Sequence, residues 1–131
     1  MQRLQRTVLA ILLACCAALP AFAQQDEAAV ATATALLDRL DAGRFDAATA
    51  DFSAQMKAAL DAGKLAAVQR QLDAAGAVQS RGEPQVSRRD GFTVVVVRIQ
   101  RAAAAIDATV AIDSDGKVAG LHFAPAAGTP K

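Results

Sequence analysis

The run Phe92-Thr93-Val94-Val95-Val96-Val97-Arg98-Ile99 constrains the fold of this chain more than any other stretch. β-Branched and aromatic side chains dominate it, and such residues fit a pleated, half-buried surface. Asp90-Gly91 stands just before it, a dipeptide that accepts the positive φ angles of a tight hairpin turn. The apolar residues fall on both parities. Phe92, Val94 and Val96 share one face, and Val95, Val97 and Ile99 share the other. A strand apolar on both faces belongs inside a sheet with both sides at least partly covered. The expectation is that Val96 looks into the helix-covered interior. Val95, Val97 and Ile99 then form a second face, closed by the terminal tail or by another copy of the chain.

The beginning of the chain reads differently. Arg3 and Arg6 are followed by an apolar run, Val8 to Leu19, too short to span a bilayer comfortably, and then by Ala21-Phe22-Ala23, a small-x-small cleavage signature. The three parts in this order predict a signal peptide over residues 1–23, cleavage after Ala23 and a periplasmic or secreted product with no transmembrane span. Leu12-Leu13-Ala14-Cys15 offers the alternative of lipid anchoring at Cys15. Cleavage after Ala23 leaves 131 − 23 = 108 residues, enough for one domain over 24–125 and a tail over 126–131. Both cysteines, Cys15 and Cys16, leave with the signal, and with them any thiol nucleophile or thiolate metal site. Two of the 14 basic residues leave as well. Twelve then remain against 13 acids, a net charge of −1. Neither nucleic acid nor an anionic membrane is a natural partner for such a chain, and the absence of Trp and Tyr removes the usual stacking platforms for single strands.

Between the signal and the strand the periodicity is helical. Val30, Ala33, Leu36, Leu37 and Leu40 predict a helix over 28–40, capped by Asp26 and stopped at Gly43. Phe45, Ala48, Phe52, Met56 and Leu60 continue at three- or four-residue steps, with Ser53 placed to cap a fresh turn. Asp61-Ala62-Gly63 repeats Asp41-Ala42-Gly43 and reads as a second stop, before a helix over 64–75 ended by Gly76. Residues 77–89 make a weak first strand, because Gly82 and Pro84 interrupt it and proline lacks the N–H of a central strand.

Beyond the central strand, Ile106, Ala108, Val110 and Ile112 alternate with Asp107, Thr109, Ala111 and Asp113. A two-residue loop at Asp115-Gly116 pairs Ile112 with Ala119, Val110 with Leu121 and Ala108 with Phe123. Every large apolar residue except Val118 then lies on one side. The fold class that follows is α+β: helices first, then a curved, roughly four-stranded antiparallel sheet.

The segment from Leu36 to Pro125 resembles a known family. Leu36-Leu37, Gly43, Phe45-Asp46-Ala47-Ala48, Phe52, Met56-Lys57-Ala58-Ala59-Leu60, Lys64-Leu65, the Phe92–Ile99 strand and the ending Asp115-Gly116-Lys117-Val118-Ala119-Gly120-Leu121-His122-Phe123-Ala124-Pro125 carry the likeness. They are similar to the domain of unknown function 3887 family. The resemblance implies a cystatin-like or nuclear-transport-factor-like cone fold in a secreted bacterial protein. It carries over no catalytic residue.

No catalytic, cofactor or metal constellation assembles from the sequence. His122 is the single histidine and falls on the polar face opposite Thr109. Asp113-Ser114-Asp115-Gly116 lacks the earlier acid and the later glutamate of a calcium loop. Asp38, Asp41, Asp46 and Asp51 belong to solvated helix faces beside Arg39 and Arg44. In a pocket-forming fold, Leu37, Phe45, Phe52, Met56, Val96, Val110, Leu121 and Phe123 are the candidate pocket lining, and Val95, Val97 and Ile99 the candidate interface. The functional expectation is a non-enzymatic exported module that binds a small apolar ligand or a periplasmic protein, with a homodimer through the sheet. The alternatives are a small cone-fold enzyme of lyase or isomerase type and a purely structural dimerisation subunit.

Overall fold

The structure is a computed structural model and describes residues 21–126. The charged start, the apolar run with Cys15 and Cys16, and the tail residues 127–131 lie outside the described residues. The polypeptide forms four helices and then five strands. These are α1 (Ala21–Asp41), α2 (Phe45–Thr49), α3 (Ala54–Ala59), α4 (Ala62–Asp73), β1 (Val78–Arg81), β2 (Gln85–Arg89), β3 (Phe92–Arg101), β4 (Ala105–Ile112) and β5 (Val118–Pro125).

Helix α1 starts earlier than its periodicity predicts. Ala21 to Ala23 form its first turn, and Asp26 lies inside it rather than capping it. Its end follows the expectation. Gly43 takes φ +72°, its N–H donates to the Leu40 carbonyl, and the Arg44 N–H reaches back to Arg39, the paired bonds of a Schellman stop. Ser53 caps α3 by accepting from the Met56 N–H at 3.2 Å. The second Asp-Ala-Gly behaves in the opposite way to the first. Asp61 is the N-cap of α4, accepting from the Lys64 N–H at 2.9 Å, so Ala62 and Gly63 open a helix instead of closing one. The same three residues serve either end, because a carboxylate can cap a start and a glycine can end a stop.

The sheet is antiparallel throughout, with β3 at its centre. β4 pairs along one side of β3, and β5 pairs with β4. β1 and β2 lie in line on the other side, β1 against Ile99–Arg101 and β2 against Phe92–Val96. The break between them falls at Gly82-Glu83-Pro84, where the sequence signals one. The weak first strand is therefore two short strands, and the four-stranded expectation becomes five.

The β4–β5 register holds for Val110 with Leu121 and Ala108 with Phe123. Near the turn it differs. Asp113 pairs with Lys117 across a three-residue loop, and Ile112 pairs with Val118. A bulge at Ala119 absorbs the extra residue and restores the register. It also turns Val118 inward, where it is fully buried. β5 runs on to Pro125, opposite Ile106, and the Ala126 N–H donates to the Ala105 carbonyl. Ala126 is buried and belongs to the domain rather than to a tail.

The helices cover one face of the sheet, with α1 lying across β3. The core joins Leu36, Leu37 and Leu40 of α1 and Phe52, Met56 and Leu65 to Val95, Val97 and Ile99 of β3 and to Ala108, Val110, Ile112 and Val118. At about 25 cal/mol per Å² of apolar surface removed from water, each large member contributes roughly 1.5–3 kcal/mol. The backbone of Asp51–Ser53 docks on the start of β5, with the Ser53 N–H on the Val118 carbonyl and the Val118 N–H on the Asp51 carbonyl. The loop after α4 is clamped to the β3–β4 turn in a similar way. The Ala102 and Ala103 N–H groups donate to the Ala77 and Ala75 carbonyls.

Candidate functional site

Period-two geometry sends successive side chains of β3 to opposite faces, and the helix layer decides which face is inside. Val95, Val97 and Ile99 are the inside face, at 0, 2 and 3 % exposure. This corrects the assignment of those three residues to an interface, because α1 and the core cluster already cover them. Val96 is corrected in the other direction. It pairs with Thr109 on the face away from the helices and does not line an interior pocket.

The remaining candidate pocket residues are packed together rather than arranged around a space. Leu37, Phe52, Met56 and Val110 are buried in the core cluster, and Phe45, Leu121 and Phe123 pack against it half-buried. None of them lines either concavity described here.

The far face of the sheet is the more informative surface. Following the register outward from β3, Val94 lies between Ser87 and Ala111, with Gly120 beyond, and Val96 lies between Gln85 and Thr109, with His122 beyond. Phe92, opposite Arg89, closes one end and is 38 % exposed. The other end carries Arg98, which donates to the two Asp107 carboxylate oxygens at 2.9 and 3.2 Å. That hydrogen bond, and the carboxylate charge behind it, raise the Arg98 guanidinium pKa above its ordinary value. A Cβ on Gly120 would stand 3.4 Å from that of Ala111, so the glycine keeps the surface shallow there. The face is flat, small-residue and apolar at its centre, and its Arg98–Asp107 charges are joined to each other. His122 is exposed on it opposite Thr109, as its register predicts.

A cleft opens at the end of the sheet where the β2–β3 and β4–β5 turns meet the first half of α1. It encloses about 430 Å³. The residues of α1 that overhang it are small, Ala28, Ala29 and Thr32, whereas the next turns of the helix fill the interface with Leu36, Leu37 and Leu40. Where the helix offers only small side chains, space remains between helix and sheet. A shallower groove runs along α1 beside Val30, Ala31, Thr34 and Ala35, rimmed by Asp26, Glu27 and Asp38.

The opposite end of the domain is tied by charge. Arg81 donates to Asp38 and Asp41 at 2.6 Å each. Burial works against the Arg81 charge, but these two carboxylates outweigh it and hold its pKa above the ordinary value. Arg101, 2 % exposed, donates to the Gly76 carbonyl at 2.8 Å and approaches Asp73 and Asp41 at 3.4 and 3.6 Å. Asp51 pairs with Arg39 at 2.8 Å. Asp38, Asp41 and Asp51 are thus partners in ion pairs joining helices to strands and to one another. The sequence reading placed them on solvated surface, since Arg81 and Arg101 are too distant in the chain for spacing to reveal the contact. Among the described residues no group of three or more His, Cys, Asp or Glu is placed to hold a metal ion. No helix among them is long and apolar enough to cross a membrane.

The profile of a family described as protein of unknown function (DUF3887) matches residues 33–121, about two thirds of the chain. The chain belongs to the DUF3887 family. The match begins at Ala33 in α1 and ends at Leu121 in β5, so the DUF3887 region takes in the helix layer and most of the sheet. No curated protein and no solved structure matches the chain. For this DUF3887 protein the far sheet face and the cleft are therefore the surfaces from which a function is argued.

Proposed function

We propose that this DUF3887 chain is an exported, non-enzymatic binding module that docks a protein partner on the open face of its sheet, and that this partner is a second copy of itself. One observation carries the reading. The central strand is apolar on both sides, and among the described residues the helices cover only the Val95–Val97–Ile99 side. Val94, Val96 and Phe92 are left on a flat surface, the form in which two sheets pack face to face about 10 Å apart. A second identical face brings the same small apolar centre. The Arg98–Asp107 pair, already bonded within each copy, leaves no unbalanced charge there to repel it. A two-fold, isologous contact is the economical way to cover such a patch.

Export follows from the amino-terminal signal pattern, with cleavage after Ala23 leaving a chain whose α1 begins at Gln24. A cone fold of cystatin-like or nuclear-transport-factor-like type suits helices laid across one face of a curved antiparallel sheet. The test is native mass spectrometry of the protein purified from a periplasm. A mass of twice Gln24–Lys131 is the expected result. A single copy at all concentrations removes the self-association, and a retained signal segment removes the export reading.

A further inference from the structure

The cleft between α1 and the two hairpin turns is separate from the open sheet face, and its chemistry is mixed in a particular way. Its volume of about 430 Å³ falls within the range of small-molecule sites. Ala28, Ala29, Phe92 and Ile112 give it an apolar lining suited to a short aliphatic body. Arg88 is committed elsewhere, donating to Asp26 of α1 at 2.7 Å. The next two residues differ. Arg89 and Asp90 both line the cleft and are exposed, and among the described residues neither enters an ion pair or a side-chain hydrogen bond.

One free cation and one free carboxylate at the rim of an apolar cleft select against ligands of a single sign. A simple carboxylate gains Arg89 and is repelled by Asp90. A simple amine meets the reverse. A molecule carrying both charges close together, with an aliphatic side group, satisfies the two rim charges and the lining at once. We propose that the cleft binds a small aliphatic zwitterion of the amino-acid class, its carboxylate on Arg89, its ammonium on Asp90 and its side chain against Ala28, Ala29 and Ile112. Binding here is weak and salt-sensitive, because both charged groups keep contact with water.

The probe is L-leucine, titrated into the ¹⁵N-labelled protein, with isovalerate and isoamylamine as its two single-charge relatives. The backbone N–H groups of Gly91 and Gly116 are the reporters, since both glycines line the cleft at its two turns. Leucine is expected to move them along a saturating curve that neither relative reproduces. Arg89→Gln and Asp90→Asn are each expected to weaken that curve by about two- to fivefold, the range of an exposed charge contact. Asparagine tolerates positive φ, so Asp90→Asn keeps the turn at φ +53°. Absence of any shift, equal shifts from isovalerate or isoamylamine, or unchanged leucine binding in both variants each overturns the proposal. The outcome is independent of self-association, because Val94→Arg on the open face is expected to leave the leucine curve where it was.

Discussion

Val94 and Val95 are chain neighbours on β3 with opposite surroundings: Val95 is fully buried beneath the helix layer, whereas Val94 lies on the face that no described helix covers. The pair separates stability from association. Val95→Ala opens a cavity in a packed core and is expected to cost about 2 kcal/mol in urea unfolding. Val94→Ala is expected to leave the unfolding of a dissociated monomer nearly unchanged and to act on self-association instead. Equal losses from the two substitutions at protein concentrations too low for a dimer would contradict the face assignment.

Gly76 and Gly43 both have positive φ, at +89° and +72°, but differ in their space. A Cβ on Gly76 would come within 2.7 Å of the Ala102 Cβ, whereas one on Gly43 would meet nothing within 4 Å. Gly43→Ala pays only the backbone term, about 1 kcal/mol. Gly76→Ala also forces the α4–β1 loop off the β3–β4 turn, and about 3 kcal/mol is expected. Thermal denaturation of the two variants side by side gives the difference.

Asp61 marks where sequence and structure part over a repeated tripeptide. Its carboxylate caps α4, so Asp61→Ala is expected to cost about 1 kcal/mol, and Asp61→Asn much less. A capping role also predicts lost amide-exchange protection in the first turn of α4 and not at the end of α3.

Arg101 holds three parts of the fold through the Gly76 carbonyl, Asp73 and Asp41. Replacing it with Met removes a buried guanidinium and leaves two carboxylates that retain water, at 60 and 31 % side-chain exposure. The expected cost is about 2 kcal/mol, below that of a fully buried pair, since those carboxylates are not stranded. The loss should be read by urea unfolding and should appear first as faster amide exchange at Ala102 and Ala103.

Much of the architecture was legible in local chemistry. Gly43, Ser53 and Gly76 end or start helices where their conformational and hydrogen-bonding properties require, and Gly82 with Pro84 splits the first strand. The faces of β3 were not legible, and the reason is physical. Both parities are apolar over Phe92 to Val97, and the link that would transfer register from β4 is the alanine run Ala102–Ala105, which carries no turn chemistry. In the fold Gln100 pairs with Ala105, and this one register places Val95 beside Val110 on the core side. A weaker signal was present, because the Val94–Val96 face continues into Arg98 and Gln100 while the other continues into Ile99. The bulge at Ala119 left no mark in composition, so Val118 appeared stranded on the wrong side. The cleft was hidden for a different reason. Ala28, Ala29 and Thr32 look like ordinary helix formers until the hairpin turns are placed beneath them.

The central claim is that the open sheet face joins two copies of the chain. Sedimentation velocity on the parent protein and on Val94→Arg, across a concentration series, tests it most directly. The account predicts a dimer for the parent and a monomer for Val94→Arg with an unchanged circular dichroism spectrum. A parent that stays monomeric throughout, or a Val94→Arg variant that dimerises as the parent does, would contradict it.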